Sequence, residues 1–278
     1  MDDLDPTPQL PRARPVIGRP GGKQRLLKYI LPLIPEHTLY CEVFGGGGAV
    51  LLGKPESDLE VINDLDGDLI SFYRQVKFHL DPVLDEMDLV MNSRREFRDY
   101  LQQPGLTEIQ RAARWFIRNK LSFGAMGRHF GTSRKTPTAS LGSRAQRMLA
   151  IRALNRRFDK VCIEELPWEK CLEIYDSEAA FFFLDPPYLD AGGAAYAGWS
   201  EHELTRFCHR IVTLQGKWLF TFQDCAQVRE LMRDYEITAI ERANGIGNRT
   251  GATGRKYHEV IISSERPAPV RQRKARGA

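Results

Sequence analysis

Residues 181–188 read FFFLDPPY, a run of four apolar residues that ends in Asp185, Pro186, Pro187 and Tyr188. Four consecutive large apolar residues are typical of a central parallel strand that is buried on both faces. The polar tetrapeptide then follows at the carboxyl end of that strand, where open α/β sheets bind their ligands. Proline and aspartate are also common where a strand simply turns. The stretch alone therefore predicts an α/β fold and a candidate site.

A second junction between a strand and a turn lies earlier, where residues 39–44, LYCEVF, enter four glycines at 45–48. Such a turn brings backbone very close to a ligand. The glycines and Lys54 fit the spacing G-x-x-x-x-G-K of a phosphate-binding loop, but Pro55 follows where that loop needs a hydroxyl for Mg²⁺. A dinucleotide fingerprint also fails, because Leu51 occupies the position of its third glycine. We expect another ligand, and an ordinary surface lysine at position 54.

The composition bounds the class of protein. A chain of 278 residues with 42% hydrophobic content can bury a real core, as one large domain or one domain with an insertion. We find no apolar run of membrane-spanning length and no apolar signal-peptide core at the start. Five cysteines are spread through apolar segments without a C-x-x-C pair. We expect a soluble cytoplasmic protein with buried thiols, no membrane association and no metal site.

Positive charge is concentrated in one part of the chain. Residues 94–160 hold sixteen Lys and Arg against four acidic residues, a net charge of +12 in a chain whose total is +4. The last fourteen residues, 265–278, are also basic, so the remainder is acidic. Within the basic block, cations alternate with aromatic residues such as Trp115, Phe116 and Phe123. Phosphate contact combined with base stacking requires this mixture, so a nucleic acid is the expected partner.

The order of predicted elements indicates a parallel sheet interrupted by a basic segment. Strands are predicted at residues 39–44, 59–62, 181–184, 217–222 and 258–263. A helix is predicted over 23–35, another directly after the glycines and a third over 68–78, which gives the alternation typical of a parallel sheet. Helical patterning fills the basic segment, with Thr107 as an N-cap. The predicted divisions are a disordered N-terminal segment at 1–22, a discontinuous catalytic domain at 23–85 and 159–264, an insertion at 86–158 and a disordered basic tail at 265–278.

Several short stretches occur in a fixed order along residues 19–264. They are RPGGK at 19–23, EVFGGGG at 42–48, NDLDGDLI at 63–70, the DPPY at 185–188 and GRKYHEVII at 254–262. These stretches resemble x-x-G-G-K, D/E-P-F-x-G-x-G, x-D-x-N-x-D-L-I, DPPY and R-x-x-x-E-x-L-I of the α-group amino DNA methyltransferases, the Dam-like adenine methylases. The basic segment lies between the glycine turn and DPPY, which is the order of that group.

The resemblance implies a Rossmann-like S-adenosylmethionine-dependent methyltransferase sheet with an inserted, basic and mostly helical target-recognition domain. The implied activity is site-specific transfer of a methyl group from S-adenosylmethionine to N6 of an adenine flipped out of double-stranded DNA. The implied setting is the cytoplasm of a prokaryotic or phage-infected cell. No metal and no protein partner are expected to be required.

The resemblance also assigns candidate residues. The catalytic set is Asp185, Pro186, Pro187 and Tyr188, and the cofactor set is Lys23, Glu42, Phe44, Gly46, Gly48, Asp64, Leu65, Glu165 and Asp185. Asp64 is expected to accept the ribose hydroxyls, with a helix N-cap as its alternative role, and Lys23 to pair with the cofactor carboxylate or to remain a solvated lysine. The concentration of positive charge, and not the resemblance, supplies the predicted DNA contacts, which are Arg114, Arg118, Lys120, Arg128, Arg134 and Lys135.

The chain departs from the family pattern at a few positions. Val43 replaces a proline, and Arg19 stands where Dam-like enzymes often place a tryptophan near the cofactor. The stretch NKLSFGAM at 119–126 resembles the Dam recognition region only loosely, which leaves the target sequence open. An adenine-N6 RNA or N4-cytosine DNA methyltransferase is an alternative, because any exocyclic amine needs the same acceptors. A catalytically silent DNA-binding homologue is a second alternative.

Overall fold

The computed structural model describes residues 10–91, 93–131, 141–189, 199–243 and 256–264. The strands are β1 (Leu39–Glu42), β2 (Leu59–Asn63), β3 (Val161–Glu164), β4 (Ala180–Leu184), β5 (Lys217–Gln223), β6 (Glu236–Ala243) and β7 (Lys256–Ser263). The α-helices are α1 (Leu27–Ile30), α2 (Ala49–Gly53), α3 (Gly67–Phe78), α4 (Leu80–Asp88), α5 (Arg94–Gln102), α6 (Glu108–Leu121), α7 (Arg144–Phe158), α8 (Trp168–Tyr175), α9 (Glu201–Ile211) and α10 (Ala226–Leu231).

The seven strands of the described residues belong to one sheet, in the order β3-β2-β1-β4-β5-β7-β6. The first five are parallel, and β7 runs antiparallel between β5 and β6. The chain proceeds outward from β1 on one side and from β4 on the other, so the strand order reverses between these neighbours. Open α/β sheets bind ligands at this switch point. The glycine turn follows β1 and DPPY follows β4, so the two stretches meet at one edge, and the predicted α/β methyltransferase-like sheet is confirmed.

Alternation along β4 divides the core between the two faces of the sheet. All five residues of β4 are buried. Phe181 and Phe183 join the apolar cluster that includes residues of α2–α7, whereas Phe182 and Leu184 join the cluster with α8–α10. Helices therefore cover both faces, which explains why the run FFFL has no polar alternation.

The basic helices share the core of the sheet. Phe97 of α5, Phe116 of α6 and Phe158 of α7 belong to the same buried cluster as Tyr40 of β1. Phe72 of α3 stacks on Phe116 with ring centroids 5.4 Å apart and planes 13° apart. Thr107 caps α6 as predicted, because its hydroxyl accepts the N–H of residue 110 at 3.1 Å. The division into a catalytic domain and an insertion remains a proposal, since no separate core marks it.

The first 35 residues differ from both predictions made for them. The predicted helix over 23–35 is less regular than expected, and part of the predicted disordered segment over 1–22 is ordered. Two 3₁₀ turns, Lys23–Arg25 and Leu31–Leu33, flank the four-residue α1. Pro32 lacks the N–H that a continuing α-helix would need there. Upstream, Ala13, Val16 and Ile17 are buried in the core, in contrast to the predicted disorder, while residues 1–9 lie outside the described part of the chain.

Lys54 is not the surface lysine that the sequence predicts. Its side chain is 2% exposed, and its Nζ lies 2.6 Å from Glu60 Oε1 and 2.6 Å from Ser57 Oγ. Arg157 of α7 binds the same carboxylate, with Nη1 2.5 Å from Glu60 Oε2. The Lys54 ammonium also stands 4.4 Å from the centre of the Tyr40 ring. Two cations thus share one buried carboxylate beside the start of β2.

The cysteines follow the prediction only in part. Cys41, Cys171 and Cys208 are buried, Cys225 is half-buried and Cys162 is exposed. Cys41 and Cys171 bring their sulfur atoms to 3.6 Å without a disulfide. Cys162 sits on β3, at the edge of the sheet, where alternate side chains face solvent.

Candidate active site

Glycine permits the turn after β1 because two of its residues adopt left-handed backbone conformations. Gly46 has φ of 48° and Gly48 has φ of 64°, which residues with a Cβ rarely adopt. The N–H of Gly48 closes the turn on the carbonyl of Gly45 at 2.7 Å, and α2 begins at the next residue. A Cβ at Gly46 would meet no atom within 4 Å among the described residues. The backbone of Gly46 therefore faces open space that a ligand can fill.

Glu42 anchors this turn from below. Its Oε2 accepts the N–H of Leu51 at 2.8 Å and the hydroxyl of Tyr40 at 2.9 Å. Burial raises the pKa of Glu42 to about 8, although both hydrogen bonds oppose the change. The side chain ties β1 to α2, and its predicted role in cofactor binding stays a prediction.

The raised pKa of Glu42 predicts a pH dependence of stability. Between its ordinary pKa of 4.5 and about 8, the folded state binds more protons than the unfolded state. Glu42 therefore stabilises the fold fully below pH 4.5, and this contribution declines with rising pH and is gone above about 8. The slope reaches about 1.4 kcal/mol per pH unit. Glu42→Gln should flatten it in urea titrations across this window, and an unchanged slope would contradict the assignment.

Asp64, at the end of β2, fastens the loop that follows β2 to the glycine turn. Its Oδ2 accepts the N–H of Gly46 at 2.8 Å, and its Oδ1 accepts the N–H of Asp66 at 2.9 Å. The N-cap of α3 is Asp66, which accepts the N–H of Leu69 at 3.2 Å, so the N-cap alternative for Asp64 is wrong. Burial raises the pKa of Asp64, while the Asp66 N–H and the charge of Arg19 oppose that effect.

Asp185, at the end of β4, carries an ion pair that the sequence analysis does not predict. Lys23 Nζ lies 2.7 Å from Asp185 Oδ1, and the hydroxyl of Thr221 donates to the same oxygen at 2.9 Å. The Lys23 side chain is 3% exposed, so the alternative of a solvated lysine is wrong. Burial raises the pKa of Asp185, and the charge and hydrogen bond of Lys23 act against this rise.

Lys23 also connects Asp185 to the last residue of DPPY. Its Nζ is 3.2 Å from the Tyr188 hydroxyl and 5.2 Å from the centre of the Tyr188 ring. The ring of Tyr188 packs edge-on against Phe222 of β5 with centroids 5.3 Å apart. Between Asp185 and Tyr188 in the chain, Pro186 is buried and Pro187 is half-buried. The ammonium, the carboxylate and the phenol therefore form one polar group at the switch point.

Aromatic side chains form the floor under the glycine turn. Phe44 contacts Trp199 and Phe207 edge-on, each with centroids 5.7 Å apart. The remaining predicted cofactor residues lie at the rim. Leu65 is 70% exposed, and Glu165 is exposed with its Oε1 2.7 Å from the position of a Cβ at Gly67.

The predicted DNA contacts have different environments. Arg128 is exposed in the turn after α6, whereas Arg114 donates to the carbonyl of Gln103 at 2.9 Å. Arg118 is half-buried close to that turn, and burial lowers the pKa of Lys120. The two other predicted contacts, Arg134 and Lys135, lie outside the described residues. Among the predicted contacts that the structure describes, Arg128 is therefore the one most available to a ligand.

Residues 20–246 match the D12 class N6 adenine-specific DNA methyltransferase family, which is more than half of the chain. The chain belongs to this family. Membership confirms the resemblance that the sequence motifs indicate, and it assigns adenine-specific DNA methylation to the chain.

Individual relatives are distant. The type II methyltransferase M1.LlaDCHI of Lactococcus lactis subsp. cremoris is 25% identical over 279 residues, which cover 90% of this chain and 95% of the relative. The DNA N-6-adenine-methyltransferase of Escherichia phage P1 is 26% identical over 77% of this chain but only 30% of its own length. The type II methyltransferase M.CviBI of Paramecium bursaria Chlorella virus NC1A is 22% identical over 87% of this chain and 95% of its own length.

The candidate site contains residues that sequence patterns did not single out. The Thr221 hydroxyl binds the Asp185 carboxylate, the Asp66 N–H binds the Asp64 carboxylate, and Trp199 packs against Phe44. Among the described residues, no group of three or more His, Cys, Asp or Glu side chains is placed to hold a metal ion. The helices in the described ranges are too short or too polar to cross a bilayer.

Proposed function

We propose that this D12 methyltransferase transfers the methyl group of S-adenosylmethionine to N6 of an adenine that is flipped out of duplex DNA at a specific site. One observation carries the proposal. The carboxylate of Asp185 and the open glycine turn held by Asp64 lie at the ends of neighbouring strands, on either side of the switch point.

The cofactor would be held by residues of the β1 and β2 edge. The open backbone at Gly46 leaves room for the methionine moiety, and the left-handed conformation of Gly48 lets α2 begin directly after the turn. The Asp64 carboxylate is already fixed by two backbone N–H groups, so it loses little freedom when it accepts the ribose hydroxyls. Bound S-adenosylmethionine supplies an electrophilic methyl group on a positively charged sulfur.

Asp185 and Pro186 address the weakness of the adenine amine as a nucleophile. The lone pair of N6 is delocalised into the ring, so the nitrogen must become more tetrahedral before it attacks. The Asp185 carboxylate and the Pro186 carbonyl can accept its two protons and stabilise the positive charge that develops on nitrogen. As the new N–C bond forms and the C–S bond breaks, N6 becomes cationic and then releases one proton to water. Tyr188 would stack on the flipped base.

Lys23 favours the ionised form of Asp185, which is the form that accepts a proton of the amine in a hydrogen bond. An acceptor must be ionised, and burial alone favours the protonated carboxyl. The ammonium 2.7 Å away acts against the effect of burial on the pKa of Asp185 and so favours the ionised carboxylate. The Lys23 ammonium already contacts Asp185, Tyr188 and the carbonyl of Gly21. The predicted pairing with the cofactor carboxylate would therefore require it to give up or share one of these contacts.

The alternatives are weaker. Family membership favours adenine N6 in DNA over N4 of cytosine and over RNA. A catalytically silent homologue would be free to lose the reactive groups, but Asp185, Tyr188 and the glycine turn are all present.

The proposal is tested by methyl transfer from radiolabelled S-adenosylmethionine to unmethylated duplex DNA, with an RNA duplex of the same sequence as control. We expect label in DNA alone, and we expect it in the presence of EDTA because the sequence predicts no metal requirement. Label only in RNA, or loss of transfer with EDTA, would contradict the proposal.

Asp64→Ala should weaken cofactor binding. Removing a charged acceptor for two ribose hydroxyls should cost about 1–3 kcal/mol of binding free energy. Calorimetry with S-adenosylhomocysteine measures this without turnover. Asp68→Ala is the matched control, because Asp68 is exposed on the following helix. Equal affinities of wild type and Asp64→Ala would remove Asp64 from the cofactor site.

The basic tail and the turn after α6 should affect DNA binding differently. Deletion of residues 265–278 removes sequence-independent attraction, so it should weaken binding to all DNA and flatten the salt dependence. Arg128→Ala should instead change which sites are methylated, because an exposed arginine in the proposed recognition segment can contact base edges. Sequencing of modified bases reads both outcomes. A shifted motif after tail deletion, or an unchanged motif in Arg128→Ala, would contradict this division.

A further inference from the structure

The segment Gly18–Lys23 contacts three functional parts of the molecule within six residues. Gly18 exchanges hydrogen bonds with Asn119 of α6, Arg19 pairs with Asp66 beside the donor pocket, and Lys23 pairs with Asp185. The catalytic role of Asp185 does not account for the first two contacts.

The Arg19 contact reaches the carboxylate that is proposed to hold the ribose. Arg19 and Asp66 form an ion pair with side-chain exposures of 16% and 25%. The backbone N–H of Asp66 then binds Asp64 Oδ1 at 2.9 Å. Partial burial strengthens the ion pair relative to one in water. The charge of Arg19 also lowers the pKa of Asp64 against the effect of burial.

The two partners of this ion pair are both departures from the family pattern. Arg19 stands where Dam-like enzymes often have tryptophan, and Asp66 stands at the asparagine of x-D-x-N-x-D-L-I. The two changed residues contact each other. A cation introduced alone beside the pocket would lack a carboxylate, and an added carboxylate alone would repel Asp64. The pair is therefore a matched feature of this chain.

On its other side, Arg19 rests on the recognition helix. Its guanidinium lies 5.8 Å from the centre of the Trp115 ring on α6. Asn119 follows one turn later on the same face of that helix. Its side chain binds the N–H of Gly18 at 3.0 Å and the carbonyls of Gly18 and Ala125, each at 2.9 Å. A Cβ on Gly18 would lie 2.6 Å from that of Ala125, so the close approach of the segment to the turn after α6 requires glycine at this position.

We propose that Arg19 is a positioning residue that couples the methyl-donor pocket to the DNA-recognition helix α6. Its ion pair with Asp66 fixes the backbone N–H that binds Asp64, and so keeps the Asp64 carboxylate positioned for the ribose. Its contact with Trp115 makes the position of Arg19 depend on the position of α6. DNA bound to the recognition segment should then raise the affinity for the donor, and the donor should raise the affinity for DNA by the same factor. The inference rests on the proposed function of the site.

The test is the affinity for S-adenosylhomocysteine by calorimetry, with and without sheared unmethylated genomic DNA. In the wild type, DNA should increase the affinity about fivefold or more. Arg19→Ala should lower the affinity without DNA about tenfold, which is the effect of losing one hydrogen bond to a charged group, and should abolish the increase on DNA binding. Arg19→Lys, which retains the charge, should restore part of the affinity.

Two further variants separate the contacts of Arg19. Asp66→Asn should reproduce the loss in Arg19→Ala, and the double variant should lose no more than either single one, because both remove the same contact. Trp115→Leu should keep the affinity without DNA and lose the increase on DNA binding. Arg25→Ala, which removes an exposed arginine two residues after the segment, should match the wild type.

Thermal melts establish that each variant is folded. Wild-type affinity and coupling in Arg19→Ala, or additive losses in the double variant, would overturn the inference while leaving the proposed function intact. A wild-type protein that binds no S-adenosylhomocysteine would instead contradict the proposed function.

Discussion

Replacing Asp185 by alanine is expected to lower the rate of methyl transfer on the order of 10²–10³-fold or more, by analogy with removal of one group that stabilises developing charge. In the proposed mechanism the carboxylate acts mainly on N6 in the transition state, so cofactor and DNA affinity should remain largely intact. Single-turnover transfer of labelled methyl groups measures the rate, and calorimetry with S-adenosylhomocysteine measures the binding.

A second variant guards against a folding defect. Asp185→Ala leaves Lys23 buried without its carboxylate, and an unpaired buried charge can destabilise the fold. Asp185→Asn keeps the shape and an acceptor oxygen, so it should fold and still transfer slowly. Asp234→Ala, which removes an exposed acid, is the matched control. Rates near the wild type in folded Asp185→Ala would refute the proposed mechanism.

Glu60→Ala should have the largest effect on stability. It leaves the buried cations Lys54 and Arg157 without their shared carboxylate. Breaking a buried ion pair by removal of one partner costs about 3–5 kcal/mol. Urea unfolding measures the loss, and Glu56→Ala, which removes an exposed acid from the loop before β2, should change stability little.

The Glu60 cluster should also be sensitive to acid. Burial raises the pKa of Glu60, but hydrogen bonds from Arg157 and Lys54 outweigh this and bring it below the ordinary value of 4.5. The cluster therefore stabilises the fold above pH 4.5, and this contribution declines as the pH falls through the lowered pKa. For the stability prediction, a fall of less than about 1 kcal/mol in the free energy of unfolding of Glu60→Ala would show that the carboxylate is dispensable.

The parallel core of the sheet was predictable because its strands carry strong local patterns. The apolar run at 181–184 and the junction at 39–48 predicted β4, β1 and the turn, and their meeting at one edge follows from parallel topology. Two edge strands were not predicted. Val161–Glu164 is short with mixed burial, and Glu236–Ala243 reads EITAIERA, whose charges suit an edge strand as well as a helix.

Local sequence pattern predicted the positions of single candidate residues better than it predicted the side chains that they contact. Asp64 and Asp185 follow strands, so their positions were predictable, but the sequence did not reveal Lys23 on Asp185 or Arg19 on Asp66. These contacts join segments far apart in the chain, and only folding brings them together. The prediction that Lys54 is a surface lysine was wrong for the same reason, since its burial depends on a helix about a hundred residues later in the chain.

The most direct measurement is the identity of the methylated base. Duplex DNA incubated with the protein and S-adenosylmethionine can be digested to nucleosides and analysed by mass spectrometry. Membership of the D12 adenine-specific family predicts N6-methyladenine as the product. The proposed role of Asp185 predicts that this product is absent from the Asp185→Ala reaction. Methylcytosine in place of N6-methyladenine, or N6-methyladenine formed equally well by Asp185→Ala, would contradict the account.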